Sequence, residues 1–199
     1  MHQVFISDGI VLGKRALGES NTRIAVLTRE LGLVKVHARS TRVEKSKLRY
    51  GLEVMTRARF TFVKGRHEWR LTGVSETSRD LIGTTIARRA AAGRIVKLLL
   101  RLIRGEEVTP VLYETVQMGL SSLAHLPMKT GVEVDTAAQS IETVLVLRIL
   151  SHLGYLPSTP ELRPFVEQDF FSIEMAEEVQ KSRALLMRAI NESLTATGL

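Results

Sequence analysis

The feature that most constrains this chain is a change of hydrophobic period near residue 80. Before it, apolar residues alternate with polar ones. In VKVHARS, Val34, Val36 and Ala38 share one face, and Lys35, His37 and Arg39 share the other. TRARFTF sets Thr56, Ala58, Phe60 and Phe62 against Arg57, Arg59 and Thr61, and EWRLTGV sets Trp69 and Leu71 against Glu68, Arg70 and Thr72. A period of two is the signature of a strand with one buried face. Two more strands are expected near Val4–Leu12 and Arg23–Thr28, with Gly13, Gly18, Gly32, Gly51 and Gly65 as punctuation. Five short strands, each with a single apolar face, predict a small closed or half-open barrel.

From about Ile82 the period lengthens to that of a helix. A helix is expected over 84–104, a second from Thr109-Pro110 to about Leu126, and a third from Asp135 to Leu153 that stops at Gly154 with Pro157 beyond. Thr159-Pro160 opens a short helical turn. A last helix over 172–197 carries Met175, Val179, Leu186, Ile190 and Leu194 at helical spacing. The expected domains are therefore 1–79, a strand domain, and 80–199, a helical domain, in an α+β chain.

Charge changes at the same place. Residues 1–79 hold sixteen Lys and Arg against seven Asp and Glu, a charge of +9, while residues 80–199 hold twelve against fourteen, or −2. The chain's net charge of +7 thus belongs to the strand half. That is the pattern of a nucleic-acid-binding barrel on a neutral helical body. Its densest part is HARSTRVEKSKLRYG, His37 to Gly51, with Arg39, Arg42, Lys45, Lys47 and Arg49 against Glu44 alone. The stretch falls between two expected strands, where long cationic side chains can follow a phosphate backbone. Lys35 and Arg39 lead into it, and Arg57 and Arg59 lead out on the next strand.

Other chemistry is thinly represented. GIVLGKR resembles a phosphate loop but lacks one residue between its glycines and has Arg15 where a magnesium-holding hydroxyl belongs. The five histidines form no ligand pair, and the chain has no cysteine, so no metal, cofactor, disulfide or catalytic set is expected. Phe60, Phe62 and Trp69 fall on apolar faces and read as core, which leaves Tyr50 as a candidate base-stacking ring. The start MHQVFISDG has neither a basic region nor a long apolar one, and IVKLLLRLI is broken by Lys97 and Arg101. A cytoplasmic protein with no membrane role is expected. Arg94, Lys97, Arg101 and Arg104 recur at helical steps and read as a solvated face, with a second anion site as the alternative.

The order of motifs adds a resemblance. Gly9–Leu12, Gly18-Glu19-Ser20, the hairpin Thr28-Arg29-Glu30-Leu31-Gly32, the step Ala38-Arg39-Ser40, the basic run with Ser46, Gly51-Leu52, and LRILSHLGYLP at 147–157 resemble the RecO family of bacterial recombination mediators. The resemblance covers about three quarters of the chain. It implies an N-terminal OB-fold followed by an all-α domain. It implies binding to single- and double-stranded DNA, annealing of complementary strands, and work with RecR and the single-strand-binding protein SSB in loading RecA, without covalent chemistry. Carried onto this sequence, DNA binding falls to Lys35, Arg39, Arg42, Lys45, Lys47 and Arg49, with Arg57 and Arg59 in support. The chain alone is expected to be a monomer. Two departures stand out. Many relatives carry a four-cysteine zinc module after L-G-Y, where this chain has LPSTPELRPFVEQDF. Where relatives place an Arg and an aromatic, it has Thr143, Val144 and Leu145. The family's site for the acidic SSB tail lies in the helical domain, and no residue here is assigned to it. On the basic stretch alone, an RNA-binding OB protein of ribosome or tRNA handling fits equally well.

Overall fold

A computed structural model describes residues 3–19, 21–39, 50–66, 68–106, 110–125, 131–168, 171 and 173–198. The strands are β1 (Gln3–Leu17), β2 (Asn21–Thr28), β3 (Gly32–Ala38), β4 (Arg57–Lys64) and β5 (Trp69–Ser78). They close into a barrel in the order β1-β2-β3-β5-β4. Every neighbouring pair is antiparallel except β3 and β5, which run parallel and pair only at Val36↔Trp69 and His37↔Arg70. The barrel is an OB-fold and the rest of the chain is helical, so the α+β class expected from the period change is the class observed.

β1 runs five residues past its expected end at Leu12. It serves both sides of the barrel, pairing with β4 through Gln3–Ile10 and with β2 through Gly9–Leu17. The turn between these duties is a register shift between Val11 and Gly13, where a bulge adds the bend that closure needs. Gly9 sits where both neighbours converge, and a Cβ there would lie 2.6 Å from Val26 Cγ1. The alternating apolar residues fill the barrel: Val34, Val36, Ala38, Phe60 and Phe62 are all fully buried. Trp69 joins them, edge-on to Phe5 at 5.0 Å and to Phe62 at 6.2 Å. Leu52, from a short 3₁₀ turn at Tyr50–Leu52, belongs to the same core.

The helices are α1 (Ile86–Leu102), α2 (Pro110–His125), α3 (Gly131–His152), α4 (Arg163–Val166), α5 (Ile173–Lys181) and α6 (Arg183–Ala196). The single helix expected over 172–197 is two, because Ser182 leaves helical geometry at φ −96°, ψ 8°. Hydrogen bonds from Ser182 N to Glu178 O and from Leu186 N to Ser182 O carry the ladder across the irregularity. The apolar spacing therefore continues through it, and the sequence shows no break. The short turn expected at Thr159-Pro160 forms a helix only from Arg163.

The chain divides into two compact units, Met1–Leu81 with Ile103–Tyr113, and Ile82–Leu102 with Glu114–Leu199. Residues 103–106 and the first turn of α2, residues 110–113, thus group with the barrel. In the second unit α3 is central. Ile141, Leu145, Ile149 and Leu150 are buried, and a Cβ on Gly119 of α2 would lie 2.5 Å from Leu145 Cδ2, a close approach that only glycine allows. Arg148 of α3 is 2% exposed. Its Nε donates to the Phe165 carbonyl at 2.9 Å, and its guanidinium lies 4.5 Å from the Phe171 ring centre. Residues 162–166 after L-G-Y are held to α3 by this cation and by the buried Leu162 and Phe165. Among the described residues, no helix is long and apolar enough to cross a membrane.

Candidate nucleic-acid interface

Strand register assembles a row of basic side chains that no local pattern contains. On the outer face of the barrel Arg15 of β1 stands opposite Arg23 of β2, Arg23 stands opposite His37 of β3, and His37 stands opposite Arg70 of β5. Four strands at ~4.8 Å spacing make this row roughly 14 Å long. Lys35 lies on the same face of β3, and Arg39 is exposed just beyond the strand's end. Arg15, Arg23, Lys35, Arg39 and Arg70 make no ion pair with any described acid. His37 does, its Nδ1 lying 3.1 Å from Glu68 Oε2. Like charges placed directly across strands destabilise a sheet, so Arg15 opposite Arg23 is a feature that a polyanion would relieve.

The other side of the barrel is neutralised. Arg57 reaches Asp80 at 2.7 Å, and Arg59 bridges Asp8 at 3.1 Å and Glu76 at 2.9 Å. The hydrogen bond to Asp8 and the charges of Asp8 and Glu76 raise the Arg59 pKa further. Lys14 is likewise held by Glu53 at 2.7 Å. The two arginines expected in support of a DNA site are therefore occupied by acids of their own barrel. Arg42, Lys45, Lys47 and Arg49 lie outside the described residues, as does the side chain of Tyr50.

Arg15, Arg23 and Arg70 escape a reading by sequence alone. Arg15 lies past the expected end of the first strand, and Arg70 reaches the row only through the parallel β3–β5 closure. The available signal was the Gly18-Glu19 turn: a tight hairpin there sets Leu17 opposite Asn21, and Arg15 opposite Arg23 follows. In the helical unit, Arg94 of the expected cationic face is engaged, its Nε and Nη2 donating to both carboxylate oxygens of Glu142 at 2.6 Å.

The described residues thus form a five-stranded OB barrel that carries a basic row on its outer face and is followed in the chain by a helical unit. Residues 1–77 match the family model for the N-terminal part of recombination protein O. The chain is 28% identical over 157 residues to the DNA repair protein RecO of Exiguobacterium sibiricum, covering 76% of this chain and 57% of that one. It is 28% identical over 161 residues to RecO of Moorella thermoacetica, with 79% and 55% covered, and 27% over 159 residues to RecO of Dehalococcoides mccartyi, with 79% and 59%. The chain is thus similar to RecO-type proteins, over its N-terminal part by the family model and over about three quarters of its length by these relatives, and it spans a little over half the length of the curated relatives it matches.

Proposed function

We propose that this chain binds DNA along the row Arg15–Arg23–His37–Arg70, with Lys35 and Arg39 beside it and Arg42, Lys45, Lys47 and Arg49 extending the contact. It binds and anneals single strands in recombinational repair, working with RecR and SSB to load the recombinase, and it does so by binding rather than by covalent chemistry. The observation that carries this reading is the row itself: basic side chains aligned across four strands, of which Arg15, Arg23 and Arg70 make no ion pair with any described acid, on an OB barrel where Arg57 and Arg59 are paired with acids. Arg57 and Arg59 have no part in it while their acids hold them. For the helical unit, a pocket of about 380 Å³ walled by Leu98, Val146 and Met187, with Arg183 at hand, supports a site for an acidic peptide end with an apolar residue.

The test is fluorescence anisotropy of a labelled single strand over a range of salt, for the wild type and for Arg15→Ala with Arg23→Ala. On single strands each lost phosphate contact lowers the log–log salt slope by about 0.7, so the double variant should lose about 1.4. An unchanged slope in a folded variant removes the row from the interface. Competition with RNA of the same sequence decides between DNA and the RNA alternative.

A further inference from the structure

Beside the cationic row the barrel wall opens into a cavity of about 330 Å³. It exists because β3 and β5 pair at only two positions and then diverge. Residues 105–106 close the gap from outside. Their backbone is packed on Gly32, whose φ of +78° and missing Cβ permit it, since a Cβ there would lie 2.5 Å from the Glu106 carbonyl carbon. Among the lining residues, Leu33 and Trp69 are apolar and nearly buried, at 3% and 6% exposure. Trp69 is immobilised: its Nε1 donates to Glu106 Oε1 at 2.6 Å, and Lys64 Nζ lies 4.8 Å from the ring centre. Arg23 and Lys35 line the same cavity.

The Glu68 carboxylate has unused acceptor capacity. Its Oε2 lies 3.1 Å from His37 Nδ1. A carboxylate has about four lone-pair sites, so most of those on Glu68 stay open. His37 Nε2 is buried and has no hydrogen-bond partner among the described residues, an arrangement that calls for an explanation in a native fold. Glu106 is different, because Trp69 and Lys64 occupy both its oxygens.

We infer that this cavity admits one unpaired nucleobase of a bound single strand, and that it favours bases whose edges donate hydrogen bonds (guanine, cytosine, adenine) over thymine. The inference rests on the DNA-binding reading and adds to it a base preference. The three parts of a nucleotide match the three chemistries present: a flat apolar ring toward Leu33 and Trp69, a phosphate on Arg23 and Lys35, and an amino group toward the Glu68 carboxylate. Free phosphate fits poorly, because two carboxylates face it. Thymine fits poorly, because its edge offers carbonyl oxygens on both sides of a single N–H, and these oppose a carboxylate.

The experiment compares oligo-dC with oligo-dT of equal length on the full chain, over a range of salt, with an abasic strand of the same length as reference. Both homopolymers present the same phosphates, so their salt slopes should be parallel, while oligo-dC should bind about fivefold tighter or better. Trp69 is the chain's single tryptophan, so its emission should change with oligo-dC and not with the abasic strand. Glu68→Ala should bring the dC-to-dT ratio toward one. Equal affinities with parallel slopes overturn the cavity while DNA binding stands, as does a dC preference that survives Glu68→Ala and so belongs to the strands themselves. Absence of salt-dependent binding to either strand overturns the DNA reading, and this inference with it.

Discussion

Arg148 offers the sharpest test of how the helical unit holds together. Arg148→Ala removes three things at once. The Phe165 carbonyl loses its buried donor, a loss of about 1–3 kcal/mol. The guanidinium–ring contact with Phe171 adds about 0.5–2 kcal/mol. A side chain only 2% exposed also leaves a hole. Together these place the change at about 3–5 kcal/mol, where single substitutions become exceptional. Arg148→Met keeps the volume and removes the charge whose burial was costly, so its loss should be smaller, about 1–2 kcal/mol. Circular dichroism at helical wavelengths reads α1–α6, while Trp69 emission reads the barrel. At a urea slope of roughly 1.5 kcal/mol/M, the helical midpoint of Arg148→Ala should fall by about 2–3 M. A glutamate-specific protease should cut earlier at Glu167, which caps the end of α4, because the segment that Arg148 anchors opens first. A helical midpoint within about 0.3 M of wild type, which is near the error of such a fit, would show that the guanidinium is not the anchor.

Two further outcomes follow from the barrel unit. Burial first, and then the charge of Asp8, push the Tyr113 phenol up to about 12 from its ordinary 10.0. A raised pKa means that the unfolded chain gives up the proton first, so the stabilisation is complete below pH 10 and is lost as the pH climbs toward 12. At pH 11 the loss should be about 1.4 kcal/mol, visible as a lower urea midpoint than at pH 9. Tyr113→Phe should flatten that difference, and an equal alkaline loss in the variant would exclude Tyr113 as its source. Gly32→Ala forces a side chain into positive φ and against the Glu106 backbone, so it should cost about 2 kcal/mol or more and shift Trp69 emission by disturbing its bond to Glu106. An unaltered melting temperature and spectrum would mean that residues 105–106 are not fixed on Gly32.

Much of the architecture was legible because burial imposes a period. Val34 and Val36, and Phe60 and Phe62, recur with a period of two, and with Trp69 all of them are in the barrel core. The boundaries that were missed are places where the period carries no information. β1 passes through its bulge to Leu17 along GKRAL, a polar stretch on the barrel's rim, and the irregularity at Ser182 leaves the apolar spacing of α5 and α6 undisturbed.

The candidate site was harder to read, for a reason that Arg59 and Arg23 make plain. Both lie on strands, both point outward, and both are exposed; alternation assigns each to a polar face and can say no more. Their neighbours decide what they can do. Arg59 stands directly opposite Asp8 of β1, and β5 brings Glu76 within 2.9 Å, so its charge is spent inside the barrel. Arg23 stands between Arg15 and His37, and its charge remains for a ligand. A shift of one residue in either hairpin would exchange such partners while also turning the apolar face outward, so the register that keeps Ile24, Val26 and Val36 in the core is the same one that lines up the cations. The basic row is thus a consequence of barrel closure, and counting charge along the chain finds the half that carries it without finding the residues.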